Sequence, residues 1–522
     1  MYIIIFNILS SFLYIFIRTK KNLHMLQQNF YNENNRYIKW GYKNFNQVIK
    51  LDVVVCVINL INLFFKNNIL CYSFLLYLVF YIIENNKLKK ETVKIPLKVT
   101  NRIKRLVMSI CLLYLLSIVL LIKSKYEYNL LFSLLISLNF YVVFISNIIN
   151  KPIEKCVFLY YKFKAIKKLK SNKNLDVIGI TGSYGKTSSK NILNDILSVK
   201  YDVLATPLNY NTEYGLILSI NNYLDKFNDI FIAEMGAFKM GRIEKLCKLV
   251  KPKYGIITSI GTAHLETFGS RENIQKGKFE LIENIKSDGV GILNMDDPYQ
   301  VSYKIKNNCK IIWIGIDSDA DIKASNINID SNGMSFDVYF KEDKVTHTFK
   351  TKLLGKANVY NILAGVAFGK YMGMNFNELE IGVKRIKPIT HRLELKRMNN
   401  YTIIDDAYNS NPVGSKMALD VLNLMDGEKI VVTPGMIELG SEQYSLNKQF
   451  GKYISEVADN VILVGEKQTK PILDGLISNN YNINKIKIIN DVREAFSIID
   501  SIKTEKEKYV LLENDLPDIF NE

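Results

Sequence analysis

The chain has 522 residues, 48% hydrophobic and 23% charged, with a formal net charge of +17, a length that suits about three domains. The basic excess is confined to the front: residues 1–170 hold 25 Lys and Arg against 6 Asp and Glu, and the remainder holds 43 against 45. The back two-thirds therefore offers no electrostatic footprint for a phosphodiester backbone, which excludes nucleic-acid binding argued from overall charge; six isolated cysteines without a CxxC pair exclude a zinc ribbon or disulfide framework.

Five apolar runs precede residue 150, at about 1–17, 51–65, 69–83, 106–122 and 129–149. The last matches the roughly 20 residues needed to span a bilayer core. No basic residue precedes the first run and no small-residue cleavage site follows it, so it reads as a retained anchor. Basic residues crowd 18–50 and 84–105 and are sparse near 66 and 123–128. The positive-inside rule then predicts a multi-pass plasma-membrane protein, its N-terminus outside and everything after residue 150 in the cytoplasm. Residues 151–174 carry eight lysines, which suits either a membrane lipid surface or the solvated face of a linking helix.

Next comes a nucleotide-binding signature. The β-branched run Asp176-Val-Ile-Gly-Ile180 leads into Thr181-Gly-Ser-Tyr-Gly-Lys-Thr187, and Ile192, Leu193, Ile196 and Leu197 follow at helical spacing. Strand, glycine-rich turn and helix N-terminus aim backbone N–H groups at a phosphate. Gly182, Ser183, Gly185 and Ser188 would line the loop, Lys186 would reach the terminal phosphates, and Thr187 would ligate magnesium. The spacing departs from GxxxxGK[ST], because Ile180 stands six positions before Lys186.

The compact TGSYGKTSSKNIL segment resembles the ATP loop of the Mur ligases, ATP-dependent amide ligases of peptidoglycan synthesis, and is most similar to the branch that adds D-alanyl-D-alanine to a muramoyl tripeptide. The resemblance continues in order over about 175–465. Asn209-Tyr-Asn-Thr-Glu-Tyr-Gly215 is similar to the NxNNExG segment, implying substrate contacts from Asn209, Asn211 and Thr212. The strand 229–233 ends in Glu234, which the resemblance makes a magnesium ligand; a plain strand-end carboxylate is the alternative. The 254–266 segment resembles NIGxAHLE and makes His264 a ligand of a second magnesium. Of the other histidines, His24 and His347 lack supporting context and are expected to face solvent, and His391 reads as a linker residue. Lys276-Gly-Lys-Phe-Glu280 resembles the segment whose lysine carries a carbamate, implicating Lys278, with neighbouring Lys276 as the alternative register.

Asn294, Asn358 and Asn361 would contact the nucleotide, although Ala357 stands where the family has a histidine. Arg392 is the candidate for the γ-phosphate. The 401–412 segment resembles IDDSYNANP and implies Asp406 for the nucleotide, with Tyr408, Asn409 and Asn411 for substrate. Gly435 replaces an expected Asp, Asn447 stands near an expected His, and Glu513-Asn514-Asp515 appears where a KGSR-like segment is expected. The family half that handles ATP and magnesium is present; the half that handles the amine is altered.

The expected fold is α/β: transmembrane helices over 1–150, a basic linker over 151–174, a P-loop-type, mostly parallel ATP-binding domain over 175–385, and a Rossmann-like domain over 386–522. The resemblance implies an ADP-forming C–N ligase, with Lys186, Lys278, His264 and Arg392 as catalytic groups. It would join a UDP-linked or lipid-linked cell-wall precursor to an amino acid or a dipeptide such as D-Ala-D-Ala. Five spans and a P-loop would also suit an ATP-driven transporter. Against that stand the lack of an LSGGQ-like signature and the Glu-Met-Gly ending of the 229–233 strand.

Overall fold

Continuous apolar runs bounded by glycine-containing turns become the central strands of two parallel sheets, because a parallel strand is covered on both faces. The computed structural model describes the chain apart from residues 1, 46–52, 55–56, 58–72, 91–95, 124–136, 331–332, 389–390, 408–410, 438 and 515–522. The chain divides into two compact units, Met1–Tyr160 and Tyr161–Glu522.

In the second unit, the first sheet contains β1 (Asp176–Thr181), β2 (Val203–Ala205), β3 (Ile230–Glu234), β4 (Tyr254–Ile257), β5 (Val290–Asn294), β6 (Lys310–Gly315), β7 (Ile322–Asp330), β8 (Gly333–Phe340) and β9 (Val345–Thr351). Their order is β2-β3-β1-β4-β5-β6-β7-β8-β9. Pairing is parallel as far as β7 and antiparallel through β8 and β9. β1 lies between β3 and β4, so the chain leaves it in opposite directions at the topological switch point, where ligands of open α/β sheets collect. Helices Lys186–Leu197 and Lys356–Tyr371 cover one face through Ile192, Ile196, Ile362 and Val366, all fully buried.

The second sheet holds β10 (Glu394–Arg397), β11 (Tyr401–Asp406), β12 (Glu428–Thr433), β13 (Asn460–Val464), β14 (Ile486–Ile489) and β15 (Lys508–Glu513), in the order β10-β11-β15-β12-β13-β14. Only β10 runs antiparallel to its neighbour. β11, β15 and β12 therefore bring Asp406, Glu513 and Thr433 to one end of the sheet.

The first unit overturns the expected membrane domain. Among the described residues no helix is long and apolar enough to cross a membrane. Two of the apolar runs form only part of a helix of mixed character. The 1–17 run belongs to helix Tyr2–Gln28, which continues through Arg18, Lys20, Lys21 and Asn22; the 106–122 run lies in Asn101–Lys123, which opens with Arg102, Lys104 and Arg105. The polar side chains turn inward and meet one another. Arg18 and Lys21 pair with Glu84 at 3.6 and 3.1 Å, and Asn22 donates to Asn139 at 2.8 Å. Asn139 donates in turn to Thr19 and Tyr114. Leu23, Leu26, Tyr37, Ile103, Ile110 and Phe140 form the accompanying core. Some of the apolar residues thus serve helix-on-helix packing, which hydropathy alone does not distinguish from a span.

The 51–65 run, apart from Val53, Val54 and Val57, lies outside the described residues, as do the start of the 69–83 run and residues 129–136 of the last one. The transmembrane helices expected over 1–150, and the orientation and multi-pass plasma-membrane placement inferred from them, are therefore withdrawn. The expected linker 151–174 is helical as far as Ser171, within the helix Asn139–Ser171.

Candidate functional site

The turn after β1 is built by close backbone approach. A Cβ on Gly182 would lie 2.0 Å from Thr258 Oγ1, and Gly185 adopts φ +79°, so neither position accommodates a larger residue without strain. Ser183 N–H donates to Ser259 O at 2.7 Å, and its hydroxyl accepts from Gly261 N–H at 2.9 Å. Tyr184 spans to the same segment, its hydroxyl 2.9 Å from Thr262 Oγ1. The two loops leaving β1 and β4 are thereby locked together.

Lys186 begins the helix and folds back over the loop, donating to Gly182 O at 2.7 Å and Ser183 O at 3.2 Å. Burial lowers its pKa to about 8; Glu234 acts in the opposite sense and Arg392 adds to the lowering. One residue on, Thr187 Oγ1 donates to Glu234 Oε1 at 3.2 Å. Asn211 Nδ2 donates to the same oxygen at 3.0 Å, and Lys190 Nζ lies 3.1 Å from Glu234 Oε2.

His264 follows β4 with φ +62°. Burial, with Lys278 and Lys186 nearby, lowers its pKa to about 4, leaving a neutral imidazole at neutral pH. On helix Arg271–Asn284, Lys278 is buried and Lys276 exposed, so the inward lysine is Lys278. Its ammonium donates to Ala237 O at 3.3 Å. Burial, reinforced by Lys186, holds its pKa well below the usual lysine value. Among the described residues no group of three or more His, Cys, Asp and Glu converges as a ready-made metal cage.

A cavity of about 510 Å³ opens beside this turn, lined by Gly185, Ser188, Asn294, Asn358 and Asn361 from the first sheet's side and by Arg392, Asp406 and Asn411 from the second's. Asn361 accepts from Ser189 Oγ at 2.6 Å and donates to Asn358 at 3.3 Å. Asn294 Oδ1 receives Asp296 N–H at 3.0 Å. Asp406 is pushed up to about 6, chiefly by burial and against the pull of Arg392, with Glu513 hydrogen-bonded beside it.

The profile of the Mur ligase middle domain matches residues 180–369, and that of the Mur ligase glutamate ligase domain matches 391–512. A UDP-N-acetylmuramoyl-tripeptide–D-alanyl-D-alanine ligase of Buchnera aphidicola subsp. Baizongia pistaciae is 30% identical over 328 residues, covering 62% of this chain and 70% of that protein. The chain belongs to the Mur ligase family. The enzyme of the same name from Bacillus subtilis is 33% identical over 295 residues, 56% of this chain, which spans 63% of that relative's length. The crystal structure of the MurF ligase from Thermotoga maritima in complex with ADP superposes with a TM-score of 0.62 at 26% identity, covering 70% of this chain and 81% of that one.

Within this Mur ligase, Lys186 and Thr187 stand at the turn after β1 with Thr187 against Glu234, while His264 and Lys278 are near enough for the charge of Lys186 to act on both. Asn209 is exposed, and Thr212 caps the helix Glu213–Tyr223 by accepting from Gly215 N–H at 3.2 Å. Asn411 likewise caps a helix, accepting from Gly414 N–H at 2.9 Å. Tyr408 and Asn409 lie outside the described residues. His24 and His347 are half-buried instead of solvent-facing; His347 pairs with Glu380 and stacks on Phe376. His391 bonds to Asp405 at 2.7 Å.

Sequence reasoning missed Lys190, Tyr184 and Tyr360. Lys190 left one signal, a second lysine four positions after Lys186 and so one turn further along the same helix. Tyr360, which donates to Asp296 at 2.8 Å, left none.

Proposed function

We propose that this Mur ligase is an ATP-dependent, ADP-forming amide ligase of cell-wall precursor synthesis, joining D-alanyl-D-alanine to a UDP-linked muramoyl tripeptide. The observation that carries the reading is the glycine turn over which Lys186 folds and beside which Thr187 meets Glu234, with His264 and Lys278 within reach of the Lys186 charge and Arg392 and Asp406 lining the adjoining cavity. Membership of the family and the names of its relatives support the choice of substrates.

The precursor carboxylate attacks the γ-phosphorus of ATP, forming an acyl phosphate and releasing ADP. The amine then attacks the acyl carbon, the C–O bond to phosphate breaks, and phosphate leaves as the amine loses its proton. Lys186 and Arg392 offset charge on the phosphoryl oxygens as it is redistributed. The backbone of residues 182–187 and the helix N-terminus hold the phosphates in line. Asn294, Asn358 and Asn361 orient the remainder of the nucleotide, while Asn209, Asn211, Thr212 and Asn411 border the acceptor and amine.

The chain's residues fit magnesium, because the Thr187 hydroxyl and the Glu234 carboxylate are adjacent hard oxygen donors and Glu234 Oε2 makes no aligned hydrogen bond within the protein. A bound magnesium would neutralise phosphate charge there. His264, held neutral, and Lys278 flank this place. The uncharged amine of Lys278 is the form that adds carbon dioxide, and the resulting carbamate would turn a buried base into an anionic oxygen ligand.

Purified protein incubated with ATP, Mg²⁺, UDP-muramoyl tripeptide and D-Ala-D-Ala should release ADP and phosphate only when acceptor and amine are both present, with a product of the summed mass less water. Parallel reactions with a lipid-linked acceptor and a panel of amino acids separate the alternatives. The absence of amide product in every combination would overturn the assignment.

A further inference from the structure

The segment carrying Asn209, Asn211 and Thr212 is gripped by a residue that precedes the matched Mur ligase middle domain. Lys162, on the helix Asn139–Ser171, donates to Glu213 Oε1 at 2.8 Å. Lys245, on the helix Arg242–Val250, lies 2.5 Å from Glu213 Oε2. The Glu213 side chain is only 10% exposed; burial opposes its charge, but the two lysines hold its pKa below the usual carboxylate value. The far end of the helix Glu213–Tyr223 is tied to the same long helix, because Asn221 donates to Tyr161 O at 2.9 Å and Lys168 to Asn221 O at 3.2 Å.

On the other side of Glu213 the chain leads to the proposed cation site within two residues. Thr212 caps the helix, and Asn211 donates to Glu234 Oε1 at 3.0 Å while accepting from Gly236 N–H at 2.7 Å. A Cβ on Gly236 would lie 2.7 Å from Asn211 Oδ1, so this contact has no slack. Glu213 is thus the fixed point of a short lever whose other end orients the Glu234 carboxylate.

We propose that Lys162, together with Lys245, is a positioning residue: by clamping Glu213 it sets Asn211 against Glu234 and so tunes the affinity of the site for magnesium-bound nucleotide. The inference rests on the ATP-and-magnesium reading above. Partly exposed ion pairs contribute little to folding, so a purely structural role and a positioning role predict different outcomes. The proposal also assigns a role to a residue outside the 180–369 match.

The test is calorimetric titration of ADP into the full chain at a series of Mg²⁺ concentrations, for the unaltered protein, Lys162→Met, Lys162→Arg and, as a control on the Lys245 helix, Lys248→Met. Lys162→Met should raise the Mg²⁺ concentration for half-maximal ADP affinity by about threefold to tenfold, the lower part of what outer partners of a metal ligand contribute. Its Tm should fall by no more than about 4 °C. Lys162→Arg should restore the Mg²⁺ response, and Lys248→Met should leave it unchanged. An unchanged Mg²⁺ response in Lys162→Met, whatever its Tm, would overturn the positioning role. If the unaltered protein binds ADP without any Mg²⁺ dependence, the reading of the site fails and takes this proposal with it.

Discussion

The two sheets of the second unit treat their polar side chains in opposite ways. At the ends of β1 and β3 and on the helix Arg271–Asn284, polar groups are held without being used up: Glu234 Oε2 has the Lys190 ion pair but no aligned hydrogen bond, and Lys278 has a 3.3 Å contact to a carbonyl. At the end of β12 and β15 most of the polar groups satisfy one another. Asn447 accepts from Met436 N–H at 2.8 Å and donates to Met436 O and Gln443 O at 3.0 and 2.9 Å. Asn514 donates to Gly435 O at 2.6 Å, and Ser415 to Glu513 Oε1 at 2.6 Å. Buried polar atoms are normally paired, so the first end is poised for a ligand while the second is internally braced. Three of the positions that depart from the family pattern, Gly435, Asn447 and Glu513, fall in the braced end, while a fourth, Ala357, lies on the helix Lys356–Tyr371 beside the first sheet.

That contrast predicts where substitutions strike. Lys186→Met should lower kcat/KM by about 10³-fold, the scale of losing a principal electrostatic group at a transferring phosphoryl, with the fold retained by circular dichroism. Lys278→Ala should follow at about 10²-fold, and carbon dioxide depletion should lower the activity of the unaltered protein but not of this variant. Asn447→Leu reverses the pattern. It strands the Met436 N–H and C=O in the interior and should destabilise by about 2 kcal/mol, roughly thirtyfold in the folding equilibrium, while kcat measured well below Tm changes little. A loss of turnover in Asn447→Leu comparable to that of Lys278→Ala, without loss of stability, would break the contrast.

The ready end of the first sheet was legible because its signals are local. Strand, glycine turn and amphipathic helix occupy consecutive residues, and β-branched runs such as 230–234 can be read as covered strands. What escaped was tertiary. Lys190 meets Glu234 from 44 positions away, and no spacing rule links them. The choice between Lys276 and Lys278 depends on helix phase against the sheet, which only the packing decides. In the front unit the residues that contradict membrane spans, Arg18, Asn22 and Asn139, stood in or beside the apolar runs. Their pairing partners lie on other helices, so they read as punctuation instead of as an interior. The helix Asn139–Ser171 was divided in two because its halves differ in composition, apolar and then basic, although its backbone is continuous.

The mildest test uses pH and probes the ready end without mutation. Burial holds Lys186 near a pKa of about 8 in the free protein, against 10.5 for an ordinary lysine, so the cost of burying its charge is present in full below pH 8. That cost is relieved as pH rises from 8 towards 10.5, and this group's contribution to stability therefore increases with pH across that window. A bound nucleotide reverses the preference, because phosphate charge favours the ammonium. ADP affinity should accordingly weaken by about tenfold between pH 7 and 9, as the protonated fraction of free Lys186 falls. Binding should take up about half a proton per nucleotide at pH 8 and nearly one at pH 9, measured by calorimetry in buffers of different ionisation enthalpy. Lys186→Met should abolish both the proton uptake and the slope; if the slope survives the substitution, the titrating group is another one and the electrostatic account of the turn after β1 is wrong.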